Sequence, residues 1–550
     1  MRRVPWLILL AFLLCFCAAP TVVSSPTPTT DERRATSVPP TEMPTSAPPT
    51  NTPTNVPPTD SPTSVPPTNT PTSVPPTSVP PTETPPTARL NPQDQAAALL
   101  PDLRGDLDRA GEWNRYTISA TIDPAVRTIA GHERFEYTNR DSAALDRLYF
   151  HLYPNLPDFA GRLDVGAVAV DGQAVPVVYE LRRYLLRVDL PRPLAPGAST
   201  VVTLDFATRA PLNASNMYGA FNEEDGILAL ASSYPIVAIV RGGAWDIGWP
   251  DGKGDFVNSE TALYDVTLTA PSDWKLVTTG VVIGEQQNNG RRSDRIVSGP
   301  QRDFMISAVQ FGQVSADVDG THVNSYYRPG DESGGQAALA AASNALRTYN
   351  TRYGRYPLAE LDVVEVNART FLGVEYPGLI MIEHKLYAEP GGLEITVAHE
   401  VGHQWWYSQV GNDVQTEAWL DEALASYSQI VYQEQTYGPE AAERELEGFR
   451  QRYRDVLAAG RDAPVAQPNT AFRGNYVAIV YGKAVLFFQA MRKQIGDAAF
   501  DRFLHDYYAQ HRYGFVTGAD LLASAEGACG CELDQLYADW IEGVGPVEMP

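Results

Sequence analysis

Between residues 112 and 312, apolar and polar residues alternate. The segments 116–122, 132–137, 184–190, 200–206 and 264–269 place every second side chain on one face, the rhythm of a half-buried strand. Turn residues such as Pro196-Gly197 separate them, so a β-rich domain is predicted, ending near Phe311-Gly312. Beyond that point the rhythm lengthens. An Ala-rich helix is predicted over 336–353, a strand over 361–366, and a further apolar run spans 378–382. Helices then dominate: one around 397–407, then 421–437, 439–459, 482–495, 497–511 and a last element at 533–542. This order predicts a mixed α/β domain with a helical second half. The last element lies close to Pro550, so no further domain is expected.

The first ninety residues follow neither rhythm. Arg2 and Arg3 precede the apolar run 4–19, which is short for a membrane span and has the shape of an export signal. Cys15 and Cys17 follow Leu14 and Phe16, residues larger than lipoprotein signals tolerate, so cleavage or an uncleaved anchor is favoured over lipidation. Residues 20–88 hold 21 of the 45 prolines and no aromatic residue, and Pro-Pro-Thr recurs from 39 to 75 every nine residues. Such a stretch buries too little apolar surface to offset the entropy of folding. A disordered Pro/Thr-rich stalk is expected, at most about 200 Å long at about 3.1 Å per residue. The predicted division is therefore 1–19 signal or anchor, 20–90 stalk, 91–312 β-rich domain and 313–550 catalytic domain.

Charge and cysteine content narrow the function. The net charge is −24, from 42 basic and 66 acidic residues, and residues 1–90 carry equal numbers of each sign. The body thus repels nucleic acid, and no basic stripe is present to bind it. Cys529-Gly-Cys531 cannot form a zinc site alone, because four ligands are needed. Export would oxidise the pair where geometry allows.

The chemistry concentrates in 397–407, where His399-Glu400-Val-Gly-His403 forms an HExxH segment. Histidines four apart lie one helical turn above each other and reach a single ion, with the intervening glutamate at its open side. Glu422, nineteen residues past His403 in Trp419-Leu-Asp-Glu-Ala, supplies a third ligand. Two histidines and a carboxylate leave the fourth position of a catalytic zinc for water. One Zn2+ per chain is expected. The competing reading, a surface helix with two solvated histidines, is weakened by that downstream carboxylate.

These residues resemble the aminopeptidase N family of zinc metallopeptidases, within the gluzincin group. The family pattern is HExxH, eighteen residues, then glutamate in a Trp-Leu-Asn-Glu-Gly setting, against Trp-Leu-Asp-Glu-Ala here. Gln404-Trp405 also fits. The likeness extends over about residues 110–550 and implies the family's saddle-like β domain followed by a thermolysin-like catalytic domain. A Gly-Ala-Met-Glu-Asn segment on an edge strand binds the substrate backbone and free amino terminus in this family. Leu372-Gly373-Val374-Glu375-Tyr376 matches it in part, implying substrate roles for Gly373 and Glu375. A carboxylate there suits an ammonium group through a charge-assisted hydrogen bond. A tyrosine two residues before a lysine is the third family feature, and Tyr481-Gly482-Lys483 fits it, with Tyr476 as a rival.

The resemblance implies a mechanism. His399, His403 and Glu422 hold zinc, Glu400 acts as general base and acid, Tyr481 stabilises the oxyanion, and Glu375 holds the α-ammonium. The expected function is an exported zinc aminopeptidase acting on peptides, secreted or tethered to a membrane through its N-terminus. The alternatives are a zinc endopeptidase or another hydrolase on the same scaffold, or a non-catalytic surface protein. Many family members enclose the site with a helical C-terminal domain that is not expected here, and an open site admits longer peptides. No second amine-anchoring acid is evident around Ser232-Ser233-Tyr234-Pro235.

Overall fold

Four of the five alternating segments lie in one eight-stranded sheet, while 184–190 falls in Leu185–Leu194 of a smaller four-stranded sheet. Thr128–Thr138 runs antiparallel to Asn114–Asp123 on one side and to Ser199–Arg209 on the other. Asn114–Asp123 pairs in parallel with Ala262–Pro271, which leads to Arg291–Gln301 and Val281–Asn288 at one end; Arg162–Val170 and Gln173–Val175 finish the other. One face of this sheet, including Tyr116, Ile118, Phe135 and Leu204, shares a core with two smaller four-stranded sheets. The computed structural model describes residues 91–212, 218–545 and 547–550, all within one compact unit. The signal and stalk read from the sequence lie outside the described residues.

Past Ile306–Val309 a further sheet begins at Gly312–Val318. Its five strands run in the order Gly312–Val318, Thr321–Tyr327, Glu360–Val366, Leu379–Glu383, Gly373–Tyr376. Gly373–Tyr376 is thus an edge strand, antiparallel to Leu379–Glu383, with Glu375 opposite Ile380. Helices Glu332–Arg352, Pro390–Gly402 and Trp419–Tyr437 pack with this sheet around a second core. The fold is therefore a β-rich region followed by an α/β region whose second half is helical.

Pro390–Gly402 runs through that core. Proline starts it, where a missing amide is harmless. Leu393, Val397, Ala398 and Val401 are fully buried, and each large apolar side chain contributes about 1.5–3 kcal/mol to holding it in place. Gly402 lets the helix close on its neighbour, since a Cβ there would lie 3.0 Å from the Cβ of Ser428.

One predicted element differs in detail, and one helix goes beyond the prediction. The helix read at 482–495 begins with a π-helical turn, Ile479–Lys483, before Ala484–Ile495. A helix at Gly518–Cys529 was not predicted, because its Gly/Ala-rich face lacks a clear apolar stripe. Its start is nonetheless a capping box of Thr517 and Asp520. Cys529 and Cys531 are joined by a disulfide just past its end.

Candidate metal centre and active site

The helix that carries the HExxH segment stops at Gly402, so His399 lies in its last turn and His403 caps its end. The cap residue keeps right-handed helical dihedrals, which preserves the one-turn spacing between the imidazoles. The chain then reverses through Tyr407, whose φ of 120° is unusual for a residue with a side chain. In this reversal the carbonyl of Trp406 meets His403 Nδ1 at 3.0 Å. A carbonyl only accepts, so Nδ1 holds the proton and Nε2 presents its lone pair.

That lone pair faces two others. His403 Nε2 lies 3.1 Å from His399 Nε2. Glu422 Oε2 lies 3.3 Å from the first and 3.4 Å from the second. Glu422 comes from the first turn of Trp419–Tyr437, and its own amide donates to Asp421 Oδ1 at 3.0 Å. Three buried donor atoms at these separations match the edges of a tetrahedron with bonds of about 2.05 Å, which are about 3.3 Å long. The donor set therefore fits a zinc ion.

Glu400 points to the same place. A Cβ on Gly373 would overlap the Glu400 carboxylate, so the edge strand passes directly over this side chain. Burial pushes the Glu400 carboxyl up to about 8, with the His403 imidazole opposing. A bound dication reverses such a shift and returns a carboxyl to its base form. The phenol of Tyr481 donates to Glu422 Oε1, and its ring lies 6.1 Å from that of His399. Tyr476 stacks edge-on against Tyr481, but its hydroxyl lies against Gly254 of the β-rich region.

Glu375 sits on the far side of His403, with Oε1 3.9 Å from Nδ1. Burial pushes its carboxyl up to about 7, the His403 imidazole pulling it down and Glu400 and Glu422 adding to the rise. Its nearest acidic partner is one that sequence reasoning missed. Asp255 hydrogen-bonds the Glu375 carboxyl, and burial with Glu375 and Glu422 beside it raises Asp255 well above the carboxylate range. The loop that carries Asp255 is pinned from the catalytic side. Gln415 donates to the Asp255 carbonyl at 2.5 Å and accepts from the Asp251 amide at 2.8 Å; Asn469 donates to the Lys253 carbonyl at 2.8 Å. The turn composition of 250–254 marks a loop, but no local motif marks its carboxylate.

All seven residues singled out from the sequence thus lie around one point: His399, His403, Glu422, Glu400, Tyr481, Gly373 and Glu375. Comparison with known proteins finds likenesses that span this cluster. Residues 337–540 match the model of the peptidase family M1 domain. Aminopeptidase M1-A of Oryza sativa subsp. japonica is 24% identical over 304 residues, 52% of this chain and 34% of that protein. Aminopeptidase RNPEPL1 of Homo sapiens is 29% identical over 213 residues, 35% of this chain and 29% of the relative. The chain thus spans about a third of the length of these curated relatives. An M1 zinc metallopeptidase from Deinococcus radiodurans shares the fold at a TM-score of 0.62 and 21% identity, over 79% of this chain and 95% of that one. A mutant of it bound to a Tyr-Ser-Ala substrate has a TM-score of 0.63 at 23% identity over the same shares. The likeness to the peptidase family M1 domain thus covers residues 337–540, which hold the three ligand candidates, Glu400, Gly373, Glu375 and Tyr481.

Proposed function

We propose that this chain is an exported zinc aminopeptidase with one zinc ion, held by His399, His403 and Glu422. Zinc, when bound there, supplies a Lewis acid and lowers the pKa of water at its open position. Glu400, at that open side, takes a proton from the attacking water and returns it to the leaving amine. The Tyr481 phenol donates a hydrogen bond to the scissile carbonyl oxygen as negative charge develops on it. Gly373, without a side chain, leaves room for Glu400 beneath the edge strand that lines the substrate backbone.

The observation that carries the exopeptidase reading is the Glu375–Asp255 pair beside the ligand cluster. Two buried carboxyls in contact make a poor environment for each other and a good one for an ammonium group. A free α-ammonium held there sets the first peptide bond over His399 and His403. The Cys529–Cys531 disulfide supports export, since such bonds persist in oxidising compartments. The segment 1–19 then acts as signal or tether and 20–90 as a stalk between it and the body.

The deciding experiment compares fluorogenic aminoacyl amides with their N-acetylated counterparts on the zinc-loaded protein. Cleavage confined to free-amine substrates is expected. Equal cleavage of both would replace this reading with an open-cleft endopeptidase.

A further inference from the structure

Tyr481 sits on a turn wider than an α-helix. Across Ile479–Lys483 the Ala484 amide reaches back to the Ile479 carbonyl, and Tyr481 leaves helical dihedrals at φ −96° and ψ 15°. Such widened turns recur at functional sites and persist when surrounding contacts fix them. One such contact reaches the backbone of Tyr481 itself. Arg452, from the helix Pro439–Ala458, lays its aliphatic stem over Gly482, whose added Cβ would meet Arg452 Cδ at 3.5 Å. Its Nη1 donates to the Tyr481 carbonyl oxygen at 2.7 Å. Burial pulls the guanidinium pKa down while Glu445 of the same helix pulls it up, and arginine stays charged under such opposed shifts. The other end of Tyr481, its phenol, donates to Glu422 Oε1. Glu422 stands on Trp419–Tyr437 and Arg452 on the next helix in the chain, so two successive helices grip Tyr481 by its carbonyl and its hydroxyl.

We infer that Arg452 is a positioning residue for Tyr481: its bond to the Tyr481 carbonyl fixes the wide turn and so holds the phenol at Glu422. The kinetic consequence rests on the aminopeptidase reading; the structural consequence does not. A methionine at 452 keeps most of the stem and removes the donor, and a lysine keeps a charge and a donor without the planar fork.

The test uses the full chain with Arg452→Met and Arg452→Lys, each in the wild-type and the Tyr481→Phe background. Arg452→Met is expected to lower kcat about tenfold, as supporting partners of catalytic groups do, with KM and zinc content unchanged. Combined with Tyr481→Phe it should add almost nothing. Amide hydrogen exchange should quicken over 479–485 and stay unchanged in Glu332–Arg352. Arg452→Lys should recover part of the rate. An additive loss in the Tyr481→Phe background, a loss confined to KM, or unchanged exchange at 479–485 would each overturn the proposal. If Arg452→Met does not fold, Arg452→Lys carries the comparison, and wild-type kcat with wild-type exchange in that variant would overturn it. No turnover by the wild type would sink the aminopeptidase reading and leave the exchange measurement to decide the role of Arg452.

Discussion

The cluster of ligand candidates and the Glu375–Asp255 pair, the proposed metal and amine ends of the site, both bury carboxylates, yet they are assembled in opposite ways. His399, His403 and Glu422 come from one 24-residue stretch, set by one helix turn and the start of the next helix. Their lone pairs converge at 3.1–3.4 Å, an arrangement that a cation satisfies. Glu375 and Asp255 come from an edge strand and a loop of the other region, 120 positions apart in sequence. Both are raised by burial; Glu375 raises Asp255 further, while Glu400 and Glu422 raise Glu375, an arrangement that a shared proton or an ammonium group relieves. The first arrangement thus suits a resident cation and the second a proton or a cationic group that comes and goes.

Removing the resident cation should have the largest effect. Chelation is expected to abolish turnover and lower the melting temperature, with zinc restoring both. At a thousandfold excess over Kd, the bound ion stabilises the fold by about 4 kcal/mol. Activity that survives complete chelation, checked by metal analysis, would break the comparison at its first term. Next in size is Glu400→Gln, expected to lower kcat by about 10²–10⁴ while zinc stays bound. Parallel kinetics and metal content would show whether Glu400 moves protons or merely supports the ligands.

The metal end was legible in the sequence because its geometry is local. Two histidines four apart meet on any helix, and Glu422 follows at a spacing the next helix can present. Tyr481 was legible through Lys483. That lysine is fully buried and ties Asp462, the Ala463 carbonyl and the Gly543 carbonyl beneath the turn, at 3.2, 3.0 and 2.7 Å. Its conspicuous place in the sequence reflects packing, and the phenol beside it does the reaching. Asp255 was not legible, because its position depends on Gln415 and Asn469 gripping a loop from the other region. Arg452 was hidden for the same reason: nothing in a helix of charged residues marks one guanidinium as reaching a distant carbonyl. The alternating strands were read where both faces differ in polarity, while Leu145–His151, buried along its last four residues, gave a weaker signal.

The seam between the two ends is Gly373. Any side chain there meets the Glu400 carboxylate, so Gly373→Ala should displace the proposed base without touching a proposed ligand. A misplacement near 1 Å costs about a hundredfold in rate. The expected result is a fall in kcat of about 10–100-fold with zinc content intact, and an unchanged kcat would show that the strand yields instead. A smaller effect belongs to the amine end. Asp255→Asn should raise KM for free-amine substrates about tenfold, about 1.4 kcal/mol, and narrow the margin over acetylated ones. A uniform change for both substrate types would mean that Asp255 shapes the cleft and does not read the amine.

The smallest effect on activity, none, is expected from a carboxyl that has neither kind of guest. Glu133 lies in the core of the β-rich region at 0% exposure, and neither of its oxygens finds a hydrogen-bond partner among the described residues. Burial raises its pKa well above the ordinary value, so it is held as the neutral acid. The folded state then binds a proton that the unfolded state releases above about pH 4.3. Stability linked to this group is complete below that pH and is lost as pH rises toward the folded pKa. Glu133→Gln removes the titration and keeps the shape. Its stability, read from thermal melts, should match the wild type near pH 4 and exceed it increasingly toward pH 8, by about 1–3 kcal/mol, the range for one poorly satisfied buried polar group. Turnover should not change at any pH. A gap that stays constant with pH would mean that Glu133 keeps its proton in both states or has found a partner. The contrast between guest-holding carboxyls and a solitary one would then have to be withdrawn.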